Sequence, residues 1–259
     1  MSLLDFLYPV RCVGCGKTGT YFCALCRERL PKVTGQICPM CARPAIGGMT
    51  HARCRKQLGL DGLVSVYAYR AVMQRAIKKF KFRLVRDLAE TMAGLTLDGW
   101  RQNDLVTFWR RERFGVMPVP LHPVRLRWRG FNQAEELGKR VAKGMGLPFA
   151  AGVLKRTKKT ESQAEMKVRL TQQEEQRIRE KSVSRLDFEE KLREAVKEKK
   201  RLLRSKNVQG AFGAEKKMKA GTRVILVDDV WTTGATMREC GKVLKRAGAE
   251  RVWGLTMAR

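Results

Sequence analysis

Arg223-Val-Ile-Leu-Val-Asp-Asp-Val-Trp-Thr-Thr-Gly-Ala-Thr-Met-Arg-Glu-Cys240 decides the fold. Val224 to Val227 is a continuous branched apolar run, the pattern of a parallel strand covered on both faces. Asp228 and Asp229 follow at the strand's carboxyl end, the edge at which open α/β sheets bind ligands. Thr232, Thr233, Gly234, Ala235 and Thr236 then make a tight turn of small residues and hydroxyls. Met237, Val243, Leu244 and Ala247 recur at helical spacing and give the next helix an inward face. Backbone N–H groups at such a turn, joined to a helix N-terminus, hold an anion. One strand–loop–helix unit therefore offers two acids for hydroxyls or a hydrated cation, and one cradle for a phosphate.

That combination suits a ribose 5-phosphate better than a nucleoside triphosphate, and neither a P-loop nor a dinucleotide-binding glycine fingerprint is present. The segment from Val224 to Thr236 resembles the phosphoribosyl pyrophosphate (PRPP) motif of type I phosphoribosyltransferases. The resemblance implies that Asp228 and Asp229 hold the ribose 2- and 3-hydroxyls of Mg-bound PRPP, with Thr232 to Thr236 around its 5-phosphate.

Working outward, Arg251-Val-Trp-Gly-Leu-Thr-Met257 supplies a final strand, and Gly248 before it sits where a helix ends. Asn207-Val-Gln-Gly-Ala-Phe212 is expected to return the chain to the sheet. Gly115-Val-Met-Pro-Val-Pro-Leu121 is a further strand, ended by prolines. His122 to Asn132 reads as a loop in which Arg125, Arg127 and Arg129 alternate with Leu126 and Trp128. Its guanidinium forks suit a pyrophosphate. Asn132 caps a helix running to about Met145. Arg101 to Phe114 reads as a polar excursion, Leu84 to Leu97 and Ala71 to Phe80 as helices, and Leu63 to Tyr69 as a strand. The alternation through 115–257 gives a parallel sheet with helices on its faces.

Between residues 163 and 207 the chain is rich in Lys, Arg and Glu and free of Gly and Pro. Thr171-x-x-Glu174 forms a capping box, and the sparse apolar points fit one or two exposed helices, an insertion at about 165–205. The segment is either solvated surface or a binding arm. Lys78-Lys-Phe-Lys-Phe-Arg83 interleaves bases and aromatics. Lys78, Lys79, Lys81 and Arg83, with Arg127, offer cations to a nucleic acid; alternatively the patch is a basic rim with Phe80 and Phe82 in the core.

The chain has 54 Lys plus Arg against 25 Asp plus Glu, a formal net charge of +29, and so favours polyanion partners. No apolar run approaches the ~20 residues of a membrane span. The opening Met1 to Pro9 lacks a basic start and is interrupted by Asp5, which makes a poor signal peptide and points to the cytoplasm.

Seven of the eight cysteines lie between residues 12 and 54. With His51 they form two four-ligand sets, Cys12/Cys15/Cys23/Cys26 and Cys38/Cys41/His51/Cys54, each suited to structural, tetrahedral zinc. Spacing also permits interleaving, with Cys12/Cys15 sharing an ion with Cys38/Cys41, and permits His51 to be an exposed loop histidine. Few large apolar residues accompany the cysteines, so metal supplies the stability of the segment. Cys240 reads as a small buried hydrophobe.

Pro118-Val-Pro-Leu-x-x-x-Arg125, Arg129-Gly-Phe-Asn-Gln133, Leu154-Lys-Arg-Thr157 and Asn207-Val-x-Gly-Ala-Phe212, behind a double zinc ribbon, together resemble the ComF competence-protein family. The resemblance implies a zinc ribbon (1–58) joined to a phosphoribosyltransferase-like domain (59–259). It also implies a cytoplasmic role in natural transformation, handling incoming single-stranded DNA with a helicase and a recombination-loading protein. By the same resemblance, the segment holding Pro120, Leu121, Arg125 and Arg129 faces the pyrophosphate. Two functions follow from these residues: a module that binds PRPP or nucleic acid, and a transferase that joins the ribose to a nitrogen acceptor.

Overall fold

The computed structural model describes residues 9–81, 88–99, 104–158 and 170–259. Met1 to Tyr8, Phe82, Arg83, the start of the helix expected from Leu84, Arg101 and the first part of the 163–207 stretch lie outside the described residues.

A four-stranded parallel sheet organises the chain. Its strands are β1 (Gly62–Tyr67), β2 (Gly115–Pro118), β5 (Arg223–Val230) and β6 (Arg251–Ala258), in the order β1-β6-β5-β2. In register, Val224 lies between Val252 and Gly115, and Val227 between Leu255 and Pro118. Successive side chains of a strand point to opposite faces, and here both faces are covered. Ile225 and Val227 join a core with helices α2 (Ala71–Phe80), α3 (Leu88–Asp98) and α6 (Gln133–Met145). Val224 and Leu226 join a second core with α9 (Ala235–Arg246). The apolar run of β5 is thus a consequence of burial on both sides.

Three expectations need correction. Asp104–Arg111 is a helix, α4, and not a polar excursion. Its arginines are on its outer surface, while Trp109 is fully buried and meets Trp253 edge-on at 5.8 Å. Pro123–Arg129 is also helical, α5. The side chain of His122 accepts from Val124 N at its start, Pro123 needs no hydrogen-bond partner at the first position, and Gly130 ends it at φ 80°. Finally, β4 (Phe212–Ala214) does not return to the main sheet. It pairs antiparallel with β3 (Leu154–Arg156), forming a separate two-stranded ribbon.

The charged stretch folds as two helices, α7 (Gln172–Glu180), opened by the Thr171–Glu174 capping box, and α8 (Arg185–Val208). Lys199 reaches Glu174 at 2.6 Å and Lys191 reaches the Lys181 carbonyl at 2.5 Å, so the two form an antiparallel hairpin. Its exit is fixed by Glu239 on α9, a buried carboxylate that accepts from Gly210 N at 2.9 Å.

The cysteine-rich segment, which carries the short helix α1 (Ala24–Glu28), docks on the free edge of β1. Val33 N donates to Val66 O, and the Gln36 amide bonds both the N–H and the carbonyl of Ser65 at 2.9 Å, replacing a neighbouring strand. No described helix is long and apolar enough to cross a membrane.

Candidate functional site

A cavity of about 220 Å³ opens at the carboxyl end of β5 and β2. Its lining includes Asp228, Asp229, Thr232, Gly234, Ala235 and Thr236 as well as Pro120, Leu121, Arg125 and Arg129. The two groups of residues singled out from sequence therefore share one site. Thr233 is turned to the backbone, its Oγ1 accepting from Ala235 N at 3.5 Å.

The turn has steric causes. Gly234 has φ 74°, and a Cβ there would fall 2.1 Å from the Trp231 ring. Trp231 is 5% exposed and is covered by the Arg238 guanidinium, 5.3 Å from its ring. Arg238 Nε in turn donates to Pro39 O, inside the Cys38–Cys41 knuckle, at 2.6 Å. The turn leads directly into α9, so the amino end of a 12-residue helix faces the cavity.

The same cavity also meets the amino end of α6. Asn132 caps it, accepting from Ala134 N and donating to Val119 O, both at 3.1 Å. Asn132, Gln133 and Ala134 all line the cavity. Each helix start carries partial positive charge, and on α6 the first-turn acids Glu135 and Glu136 are paired with Lys139 and Arg140, so the cavity is lined by two anion-favouring ends together with the carboxylates.

Asp229 is 8% exposed and pairs with Lys81 Nζ at 3.1 Å. Sequence grouped Lys81 with the nucleic-acid patch; the structure puts it in the cavity wall. Burial works against its ammonium, but Asp229 outweighs this and holds its pKa above the ordinary lysine value. Asp228 accepts from Asp229 N at 2.8 Å. Desolvation, and then the charge of Asp229, push the Asp228 carboxyl up to about 7. Burial pulls Arg129 and Arg156 below the ordinary guanidinium value. Arg156 comes from β3 and lies over the Phe212 ring at 5.2 Å. Elsewhere in the basic-aromatic patch, Phe80 is fully buried and so cannot stack a base, while Lys78 and Lys79 are exposed.

The metal-ligand sets are consecutive and not interleaved. Within Cys12/Cys15/Cys23/Cys26 and within Cys38/Cys41/His51/Cys54, the ligand atoms all lie within 4.8 Å of one another. The Cys12–Cys23 and Cys15–Cys23 sulfurs are 3.8 and 3.6 Å apart. Tetrahedral zinc with bonds of about 2.3 Å requires an edge of about 3.8 Å, so the donor set fits zinc. His51 completes the second set: its Nδ1 is 3.3 Å from Cys41 Sγ, while Nε2 is 2.9 Å from Pro44 O. Donation from Nε2 leaves the Nδ1 lone pair for a metal. Gly14 is required where a Cβ would meet Cys26 Sγ at 2.4 Å. With four protein donors, each set has no open position for a substrate.

Residues 3–55 match the double zinc ribbon domain family, and residues 132–256 match the phosphoribosyl transferase domain family. The chain is 27% identical over 251 residues to Competence protein ComFC of Bacillus subtilis, covering 92% of this chain and 83% of that protein. It is 27% identical over 267 residues to Competence protein F of Haemophilus influenzae, covering 97% and 98%. It is also 27% identical over 242 residues to DNA utilization protein YhgH of Salmonella typhimurium, covering 90% and 88%.

Proposed function

This chain belongs to the ComF family, and from that premise we propose that its cavity binds PRPP with Mg and that the protein acts on single-stranded DNA during natural transformation. The observation that carries the ligand is that one cavity is lined by the starts of two helices, by Asp228 and Asp229, and by Arg125 and Arg129. A molecule with an anion at each end and hydroxyls between them matches this set of charges. The Thr232–Thr236 turn takes the 5-phosphate, the two acids take the ribose hydroxyls, and Arg125 and Arg129 take the diphosphate. Mg would neutralise charge on the diphosphate, and the acid pair fits its hydrated form. We assign the ribbon to 1–58 and the transferase-like domain to 59–259.

The nucleic-acid part rests on the net charge of +29 and on the relatives' names. Lys78, Lys79 and Arg127, all exposed, are the described cations offered to phosphates. A cytoplasmic location, a helicase and a recombination-loading protein complete the reading. Lysine and arginine displace condensed counterions, so affinity for a labelled oligonucleotide should fall steeply as salt rises. A flat salt response contradicts this part.

One feature favours turnover as a second reading. In the proposed orientation Arg125, Arg129 and the start of α6, all in the cavity lining, would meet the diphosphate, where donors strengthen as charge develops on a departing group. In that reaction the anomeric C–O bond breaks, pyrophosphate leaves with the electron pair, and a nitrogen acceptor bonds to the anomeric carbon and loses a proton. Pyrophosphate release on screening bases and amines, lost in Asp229→Asn, supports a transferase; PRPP binding without release supports a binding module.

A further inference from the structure

We infer that Gln133 is a direct hydrogen-bond donor to the diphosphate end of the ligand, and so discriminates PRPP from ribose 5-phosphate; the inference rests on the cavity being a PRPP site.

Gln133 is the first residue of α6 and is 2% exposed. Arg129 NH1 donates to its Oε1 at 3.0 Å. A guanidinium has no acceptor, so this contact fixes which way the amide points: Oε1 must face Arg129 and Nε2 must face away. Nε2 is buried, has no hydrogen-bond partner among the described residues, and belongs to a side chain that lines the cavity. Arg129 Nε is in the same state. Buried donors left unpaired are costly, and two of them on residues that line one cavity point to a missing acceptor.

The surroundings identify its chemistry. Arg125 and Arg129 bring positive charge, and the start of α6 brings a partial positive charge of its own. These groups favour an anion and are donors like Nε2, while Asp228 and Asp229, whose charges reach Arg129, are left to the hydroxyls of the ligand. The 5-phosphate has its own cradle at Thr232–Thr236, so the anion at this wall is the second one. PRPP, with a diphosphate on the anomeric carbon, fills both, whereas ribose 5-phosphate fills only the first. Gln133 lies between a fixed arginine and the ligand, so it is set before the ligand arrives and loses little side-chain freedom on binding.

Gln133→Glu and Gln133→Met separate direct donation from a merely positioning role. Glu keeps an acceptor for Arg129 but turns a negative oxygen toward the ligand. Met keeps the length and removes the donor. Calorimetric titration of both variants with PRPP, and separately with ribose 5-phosphate, is the experiment, with unfolding midpoints recorded for each protein.

Direct donation gives a loss of PRPP affinity of roughly tenfold or more in Gln133→Met and a larger loss in Gln133→Glu. Ribose 5-phosphate affinity stays within about twofold of the original in both. If Gln133 only positions Arg129, the order reverses: Glu is the mild variant and Met the harmful one, and the inference is overturned. Equal losses for both ligands also overturn it. Failure of the unaltered protein to bind PRPP would remove the parent reading; binding that neither variant changes would remove this inference alone.

Discussion

Gly234 sets the geometry of the phosphate turn, because its positive φ and the Trp231 ring both exclude a side chain there. Gly234→Ala should destabilise the protein by about 1–3 kcal/mol and weaken ribose 5-phosphate binding, as denaturant unfolding and titration would show. An unchanged affinity would mean that the turn does not cradle the phosphate. Asp228 gives a second expectation. Its folded pKa is raised to about 7 from the ordinary 3.8, so between these values the folded state holds a proton that the unfolded state has lost. The Asp228 contribution to stability therefore falls as pH rises through that window. Asp228→Asn should remove this fall and raise the melting midpoint at pH 8 while abolishing PRPP binding; a midpoint that drops would contradict it. Asp228 and Asp229 were legible from sequence because strand, acids and turn are contiguous. Lys81, Arg156 and the role of Gln133 were not, because each enters the cavity from a distant element. Lys81 lies among lysines and Arg156 within a short motif, and neither signals which way its side chain turns.

Among the elements, the zinc knuckles also hold up the site. Pro39 O, inside the second knuckle, holds Arg238, which lies over Trp231, which in turn bounds Gly234. The expected metal content is two zinc ions per chain. His51→Ala should lose one, and His51→Cys should keep both, since four thiolates also satisfy tetrahedral zinc. Metal analysis that finds two ions in His51→Ala would remove His51 as a ligand. The cysteine spacing showed the two sets but left their pairing open, and folding closed it by stacking each set on its own knuckles. Two helices were hidden. α4 buries Trp109 beneath an arginine-rich surface, so its polar composition masks its contribution to the core. α5 is only seven residues long, and its alternating arginines look irregular until Pro123 and Gly130 are read as its start and stop.

For the molecule as a whole, the parallel sheet follows from apolar strands alternating with amphipathic helices, and this was visible in sequence. The small antiparallel β3–β4 ribbon was not, because its three-residue strands carry too little pattern to name a partner. The sheet brings two helix N-termini and an acid pair to one edge, and the zinc segment braces β1 and the turn. The central claim is that this edge binds PRPP. Calorimetry of PRPP with Mg against zinc-replete protein, with the Asp228→Asn/Asp229→Asn double variant alongside, tests it most directly. The expected result is saturable binding that the folded double variant loses. No binding at millimolar PRPP, or equal binding by the double variant, would contradict the claim.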